Sequence, residues 1–474
     1  MRGGARAVKN AWRKLPCGLL TVVLLTGLAG CSPRPQQPVG PRPSLAIVNV
    51  ALLDPGSGIE SAGSQVLITE GRISYVGLGV AVPDGVQVVD GTGLYLLPGL
   101  WDLHTHLSLL DDSVPPLLVT QGVTGVRDLG GHLDGVEALR GRIESGELLG
   151  PRILYAGPTL NGAPNAAFHR VIDSPAAASA VVSELRQAGV DFLKTHNATE
   201  SEVYFALLEH AAQAGLAVAG HVPLQVSPLE ACRAGQASVE HIATLFEGKY
   251  IAGFASELEA FLALPAWVES EAQPLVACFA ERQTLFVPTL RAYEVRAERA
   301  ALYDAPDPRW RYVSSALYER WRDQGPPSET DRNPQVIELR GSLVEVGQSM
   351  VSRSSRAGAP VGVGTDLGVG ILPGYDLHRE IELFAGAGLT PRQALEAATR
   401  GPGTRFGADS LTGRLVEGAP ADLVLLRGNA FDDLSALRTI EAVILNGRLL
   451  NRGSLDQTLG DLEAAGPQGT ALNL

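Results

Sequence analysis

The sequence predicts an α/β fold: a (β/α)8 barrel of the TIM type, with a small β-sandwich domain built from both chain ends. Three observations carry this expectation. Between residues 98 and 405 apolar strands alternate with helical stretches, the pattern of parallel βα units with right-handed crossovers. Eight such strands can be counted, ending near His104, Arg127, Tyr155, Lys194, His221, His241, Thr289 and Asp366, and eight is the number that closes a barrel. Short alternating strands near the start recur near the end. A chain of 474 residues is long enough for a barrel and a satellite domain, and 54 Gly and 31 Pro supply the turns.

In chain order, residues 1–31 read as a lipoprotein signal peptide. Arg2, Arg6, Lys9, Arg13 and Lys14 precede an apolar run at 19–25, shorter than the ~20 residues a spanning helix needs. Leu28-Ala29-Gly30-Cys31 looks like a bacterial lipobox, so Cys31 is expected to carry the lipid of a cell-envelope protein anchored on a membrane. Residues 32–43 form a Pro-rich tether of roughly 30 to 40 Å. Removing five of the 38 basic residues and none of the 51 acidic ones takes the net charge from −13 to −18. Nucleic acid is not expected as a partner, since no basic stripe or DNA-binding spacing is present. Of the four Cys, only Cys232 and Cys278 remain in the mature chain, and both read as buried packing residues without a disulfide.

Residues 44–97 contain strand patterns at 46–50, 65–68 and 72–76, and 406–452 contain matching ones at 421–426 and 442–446, so the two segments are expected to build one domain. Residues 453–474 read as a tail. Within the barrel region, residues 250–350 are too long for ordinary connections. Tyr293, Trp310, Tyr312, Tyr318 and Trp321 suggest helical insertions, either a lid over the barrel mouth or helices packed outside.

Residues with chemistry gather at the strand ends, where barrels of this kind place their active sites. In Leu97-Pro98-Gly99-Leu100-Trp101-Asp102-Leu103-His104-Thr105-His106 an apolar strand stops at two imidazoles spaced by two, which point the same way. Such a pair can chelate one divalent cation. His221 and His241 end two later strands and are further candidate ligands. Asp366 adds a carboxylate able to accept a proton from metal-bound water. Arg127 and Asp128 read as structural. His169 and His196 are candidate substrate contacts, while His132, His210 and His378 read as surface or packing residues.

These residues, with Gly122-Val123-Thr124-Gly125-Val126-Arg127-Asp128, Gly150-Pro151-Arg152, Val190-Asp191-Phe192-Leu193-Lys194, Phe286-Val287-Pro288-Thr289 and Ala421-Asp422-Leu423-Val424, resemble the amidohydrolase superfamily, specifically its imidazolonepropionase and prolidase-like branch, over about residues 45 to 450. The resemblance implies two divalent metal ions, zinc by default and manganese, cobalt or iron as alternatives. It further implies that one ion takes His104, His106, Lys194 and Asp366, and the other Lys194, His221 and His241. Lys194 would be carboxylated to bridge them, since an ammonium cannot ligate a cation. A bridging hydroxide would attack the carbonyl carbon of a small-molecule amide or cyclic amide and so break its carbon–nitrogen bond, with Asp366 as catalytic base and acid. Prolidase-like members tend to carry Tyr two residues after the fifth-strand His; Pro223 stands there, so dipeptidase activity does not carry over. A mononuclear deaminase-like enzyme, a lactonase on the same metals and a non-catalytic envelope binding protein are the competing readings.

Overall fold

A computed structural model describes residues 43–467, apart from 247, 256, 271, 323–325, 369 and 401–402. The expected leader, Cys31 and all but the last residue of the tether lie outside the described residues.

Both ends of the chain meet in one eight-stranded sheet. Its order runs Arg448–Asn451, Ile440–Leu445, Leu423–Leu426, Tyr95–Pro98, Leu45–Asp54, Ile59–Thr69 and Arg72–Gly77, with Gln87–Asp90 beside Leu45–Asp54. The seam is the antiparallel register of Leu423–Leu426 on Tyr95–Pro98. The uninterrupted apolar run there fits a strand covered on both faces: Leu423 and Leu425 join the core of this sheet, while Val424 and Leu426 join the main core.

The middle of the chain is α/β with parallel sheets. Leu100–Thr105, Val123–Asp128 and Arg152–Tyr155 form a three-stranded sheet. Phe192–Thr195, Ala217–Gly220, Ser238–Glu240 and Leu285–Val287 form another, extended by Thr159–Asn161 and His169–Val171. Asp191 donates its backbone N–H to the Tyr155 carbonyl at 3.0 Å, which links one pair of edges. At the other pair, segment 361–367 stands where the eighth strand was expected and is held by isolated bridges instead of a regular strand. Gly362 donates to Phe286, Leu103 to Val363 and Leu367 to His104, at 2.9 to 3.1 Å. This segment lies so close to the first strand that a Cβ on Gly364 would stand 2.8 Å from the His104 nitrogen, which explains the glycine.

Helix starts follow local chemistry. Ser174, Ser227 and Thr390 each cap a helix whose first turn opens on Pro, with the side-chain oxygen accepting a backbone N–H. The long insertion splits into two roles. Helix Pro334–Arg356 packs against Leu290–Ala297, while Tyr303 and Trp321 approach the cavity at the strand ends. Residues expected to be tail form the helix Arg452–Ala465, anchored by fully buried Leu455.

The expectation of no disulfide is overturned. Cys232, in helix Pro228–Ala234, is bonded to Cys278, in helix Gln273–Arg282. These helices precede the neighbouring parallel strands Ser238–Glu240 and Leu285–Val287, so strand pairing itself brings the cysteines to a Cα separation of 6.3 Å. The bond closes a loop with a sequence separation of 46, for which chain entropy gives about 4 kcal/mol of stabilisation. Replacing both cysteines with alanine should lower the urea midpoint clearly without changing the secondary-structure content; an unchanged midpoint would show that the crosslink contributes nothing.

Candidate metal centre

The strand ends converge on a cavity of about 330 Å³ lined by His106, His169, Lys194, His196, His221, His241 and Asp366, among others. His104 lies beneath it, fully buried. The tightest ligand group among the described residues is His104, His241 and Asp366, each offering an atom within 4.8 Å of the others. Asp366 Oδ1 is 3.5 Å from His104 Nε2 and 3.8 Å from His106 Nε2. His221 packs edge-on to His241, with ring centroids 4.7 Å apart.

Hydrogen bonds fix which nitrogen of each imidazole faces the cavity. His104 donates from Nδ1 to Glu240 Oε2 at 3.0 Å, and His106 donates from Nδ1 to the Gly130 carbonyl at 2.9 Å. Both therefore present an Nε2 lone pair, the arrangement metal-binding histidines adopt. His241 Nδ1 is engaged with Thr289 Oγ1 at 2.9 Å. His104 Nε2 and His221 Nδ1 are buried with no hydrogen-bond partner. Orphaned acceptors of this kind are costly, and a cation would satisfy them. The residues present thus fit a divalent metal.

Burial pushes the imidazoles of His104, His221 and His241 well below their ordinary pKa, and takes His196 down to about 4. They are neutral at physiological pH, as ligation requires. Lys194 is also buried and its ammonium is pushed down to about 8, against the opposing pull of Glu240 and Asp366.

The backbone is strained at three residues of this cluster and its border. His241, Thr289 and Asp366 have φ of 68°, 52° and 59°, a left-handed conformation that side-chain-bearing residues hold only when the surroundings impose it. Asp102 supplies part of that constraint: its carboxylate accepts the Thr365 N–H at 2.9 Å and the His104 N–H at 3.2 Å.

Two of the residues matter in ways the sequence did not disclose. Glu240 is fully buried and accepts from His104, Arg127 and Ser238; its position one before His241 was the only signal. Arg296, from the insertion, brings its guanidinium 3.8 Å from Asp366 Oδ2. Arg127 has the structural role expected, donating to the Leu103 carbonyl at 2.7 Å and to Glu240 at 2.8 Å. His169 and His196 line the cavity. Asn161 Oδ1 accepts the Ala198 N–H, so its amide group faces and donates to His169 Nδ1 at 3.3 Å. His169 consequently carries its proton on Nε2.

A model described as Amidohydrolase family matches residues 95–450. A dihydroorotase from Citrifermentans bemidjiense is 41% identical over 64 residues, 14% of this chain and 15% of that protein, so the likeness spans a small part of the relative's length. Among solved structures, a bottromycin amidohydrolase aligns with a TM-score of 0.71 at 24% identity, covering 89% of this chain and 90% of its own. A protein provisionally assigned as a prolidase, from Bifidobacterium longum, aligns at 0.62 and 25% identity, covering 89% and 99%.

Two outcomes follow from this geometry. Glu240→Ala and Glu240→Gln both leave the Arg127 guanidinium buried without its carboxylate and should each destabilise by about 3 to 5 kcal/mol in urea unfolding, and loss of the carboxylate that orients His104 should weaken metal affinity by about 10- to 100-fold in whatever fraction stays folded. Folded-state pKa values of His104, His196, His221 and His241 lie below the ordinary value, so the unfolded chain binds more protons as pH falls beneath about 6.5. Metal-free protein should therefore lose stability between about pH 7 and about pH 5, and equal urea midpoints at the two would contradict the assigned neutral imidazoles.

Proposed function

Because the chain belongs to the amidohydrolase family and is a hydrolytic enzyme acting on carbon–nitrogen bonds, we propose that it hydrolyses an amide or cyclic amide at divalent metal held by His104, His106, Lys194, His221, His241 and Asp366. The observation that carries this reading is the convergence of His104, His241 and Asp366 within 4.8 Å at the cavity floor. Bound there, a divalent cation lowers the pKa of water and polarises a carbonyl oxygen.

The chain's own groups divide the remaining work. Asp366 takes a proton from the attacking water and returns it to the departing nitrogen, which leaves poorly as an anion. His169, with its proton on Nε2, donates toward the substrate carbonyl, a role that Pro223 cannot fill. Lys194, whose pKa near 8 leaves part of it as free amine, adds carbon dioxide to give a carbamate and one proton, and the two carbamate oxygens then serve as ligands. Zinc is the first choice for this donor set. A single-metal reading using His104, His241 and Asp366 without Lys194 is the alternative favoured by the same cluster.

The proposal extends to architecture and location. Residues 98–405 constitute a closed barrel, supported by the links through 361–367 and Asp191, and the eight-stranded sheet makes the sandwich domain. Export and lipid anchoring at Cys31 are supported by the leader pattern and by a disulfide, a bond that persists in oxidising compartments.

Metal analysis should give two ions per chain, falling sharply in Lys194→Ala; one ion, retained in that variant, would favour the single-metal reading. Asp366→Asn should lower kcat by about 100- to 10,000-fold, measured on whichever amide the wild type cleaves.

A further inference from the structure

A second cavity of about 330 Å³ adjoins the metal site and shares His106, Arg296 and Asp366 with it. Its far wall is apolar, made by Val295, Leu302, Tyr303, Trp321 and Ile371. That wall is braced: Trp321 stacks on Trp310 at 5.0 Å between ring centroids, the Arg322 guanidinium lies 3.8 Å over the Tyr303 ring, and a Cβ on Gly370 would meet Trp321 Nε1 at 2.6 Å.

Arg296 stands at the boundary. Its guanidinium makes no hydrogen bond to any described residue, its side chain is 58% exposed, and its acidic neighbour is Asp366 Oδ2 at 3.8 Å. Asp366 turns its other oxygen toward His104 and His106. Arg299, on the same wall, is instead paired with Asp331 at 3.1 Å. The cavity thus offers one planar, permanently charged fork with free donors, next to the reacting group and at the mouth of an apolar chamber. A guanidinium fork matches a carboxylate in two parallel hydrogen bonds.

We propose that Arg296 and the chamber beyond it are a specificity site: the substrate is an amide bearing a free carboxylate close to its scissile nitrogen and an aromatic or branched apolar group that fills the chamber. N-acyl amino acids with an apolar acyl or side chain have this chemistry. The inference rests on the hydrolytic reading above and narrows it to a substrate class.

The test uses N-acyl amino acids in pairs, each free acid beside its carboxamide, with acyl groups running from acetyl to phenylacetyl. Hydrolysis by wild type, Arg296→Met, Arg296→Lys and Trp321→Ala is compared as kcat/KM ratios within each pair. Wild type should favour the free acid by about 10- to 100-fold, the worth of one charge-assisted hydrogen bond. Arg296→Met should bring that ratio near one, Arg296→Lys should restore part of it, and Trp321→Ala should remove the preference for phenylacetyl over acetyl while leaving the acid-to-carboxamide ratio high. A wild type that prefers the carboxamide, or an Arg296→Met variant that keeps the preference, overturns the proposal. Calorimetric binding of the same pairs to metal-loaded protein gives the ratio without turnover. Tight binding of the acids with no cleavage would therefore defeat the hydrolytic reading and keep this one, whereas cleavage without discrimination would do the reverse.

Discussion

The Glu240 carboxylate is the contact on which the centre depends. It is fully excluded from water, yet it reaches three strands: Arg127 on the second, His104 on the first and Ser238 on its own. A carboxylate in such a place would cost several kcal/mol without a counter-charge, and Arg127 provides one. The guanidinium lies 4.6 Å above the Phe406 ring and 5.7 Å above Phe192, so the polar layer under the site rests on an aromatic floor. From this layer follow the His104 tautomer, the direction of its free nitrogen and the position at which a cation can sit.

Above that layer the constraints are conformational and electrostatic together. Asp366 and His241 hold left-handed backbone conformations that only a rigid frame sustains, and Asp102 fastens segment 361–367 to the first strand through Thr365. Burial meanwhile keeps the imidazoles unprotonated. The donors are thus oriented and stripped of protons by the protein alone, the condition under which a metal site binds without reorganisation.

Much of this was legible because strand ends announce themselves. An apolar run that stops at His104, Lys194, His221 or His241 marks both the strand and the side chain it delivers, and apolar runs alternating with helical stretches located seven of the parallel strands. The eighth was anticipated as regular but pairs only through isolated bridges, since Pro360, Gly362 and Gly364 weaken strand propensity while permitting the close approach. Glu240 was invisible because a buried acid in a short strand looks like any other until its counter-ion, more than a hundred residues away, is brought beside it. A shorter separation, 46 residues, still hid the Cys232–Cys278 bond, whose partners meet only through the pairing of the strands that follow them. Arg296 lies in an insertion with no periodicity tying it to a strand end.

The seam between Tyr95–Pro98 and Leu423–Leu426 has a meaning in time as well as space. The strand that covers Tyr95–Pro98 emerges ~330 residues later, roughly half a minute at typical synthesis rates. Through that interval the first half of the sheet offers an unpaired, apolar edge, a template for mispairing. The nascent chain therefore carries a hazard that the finished enzyme does not, and its yield will depend on what shields residues 95–98 before the last strands arrive.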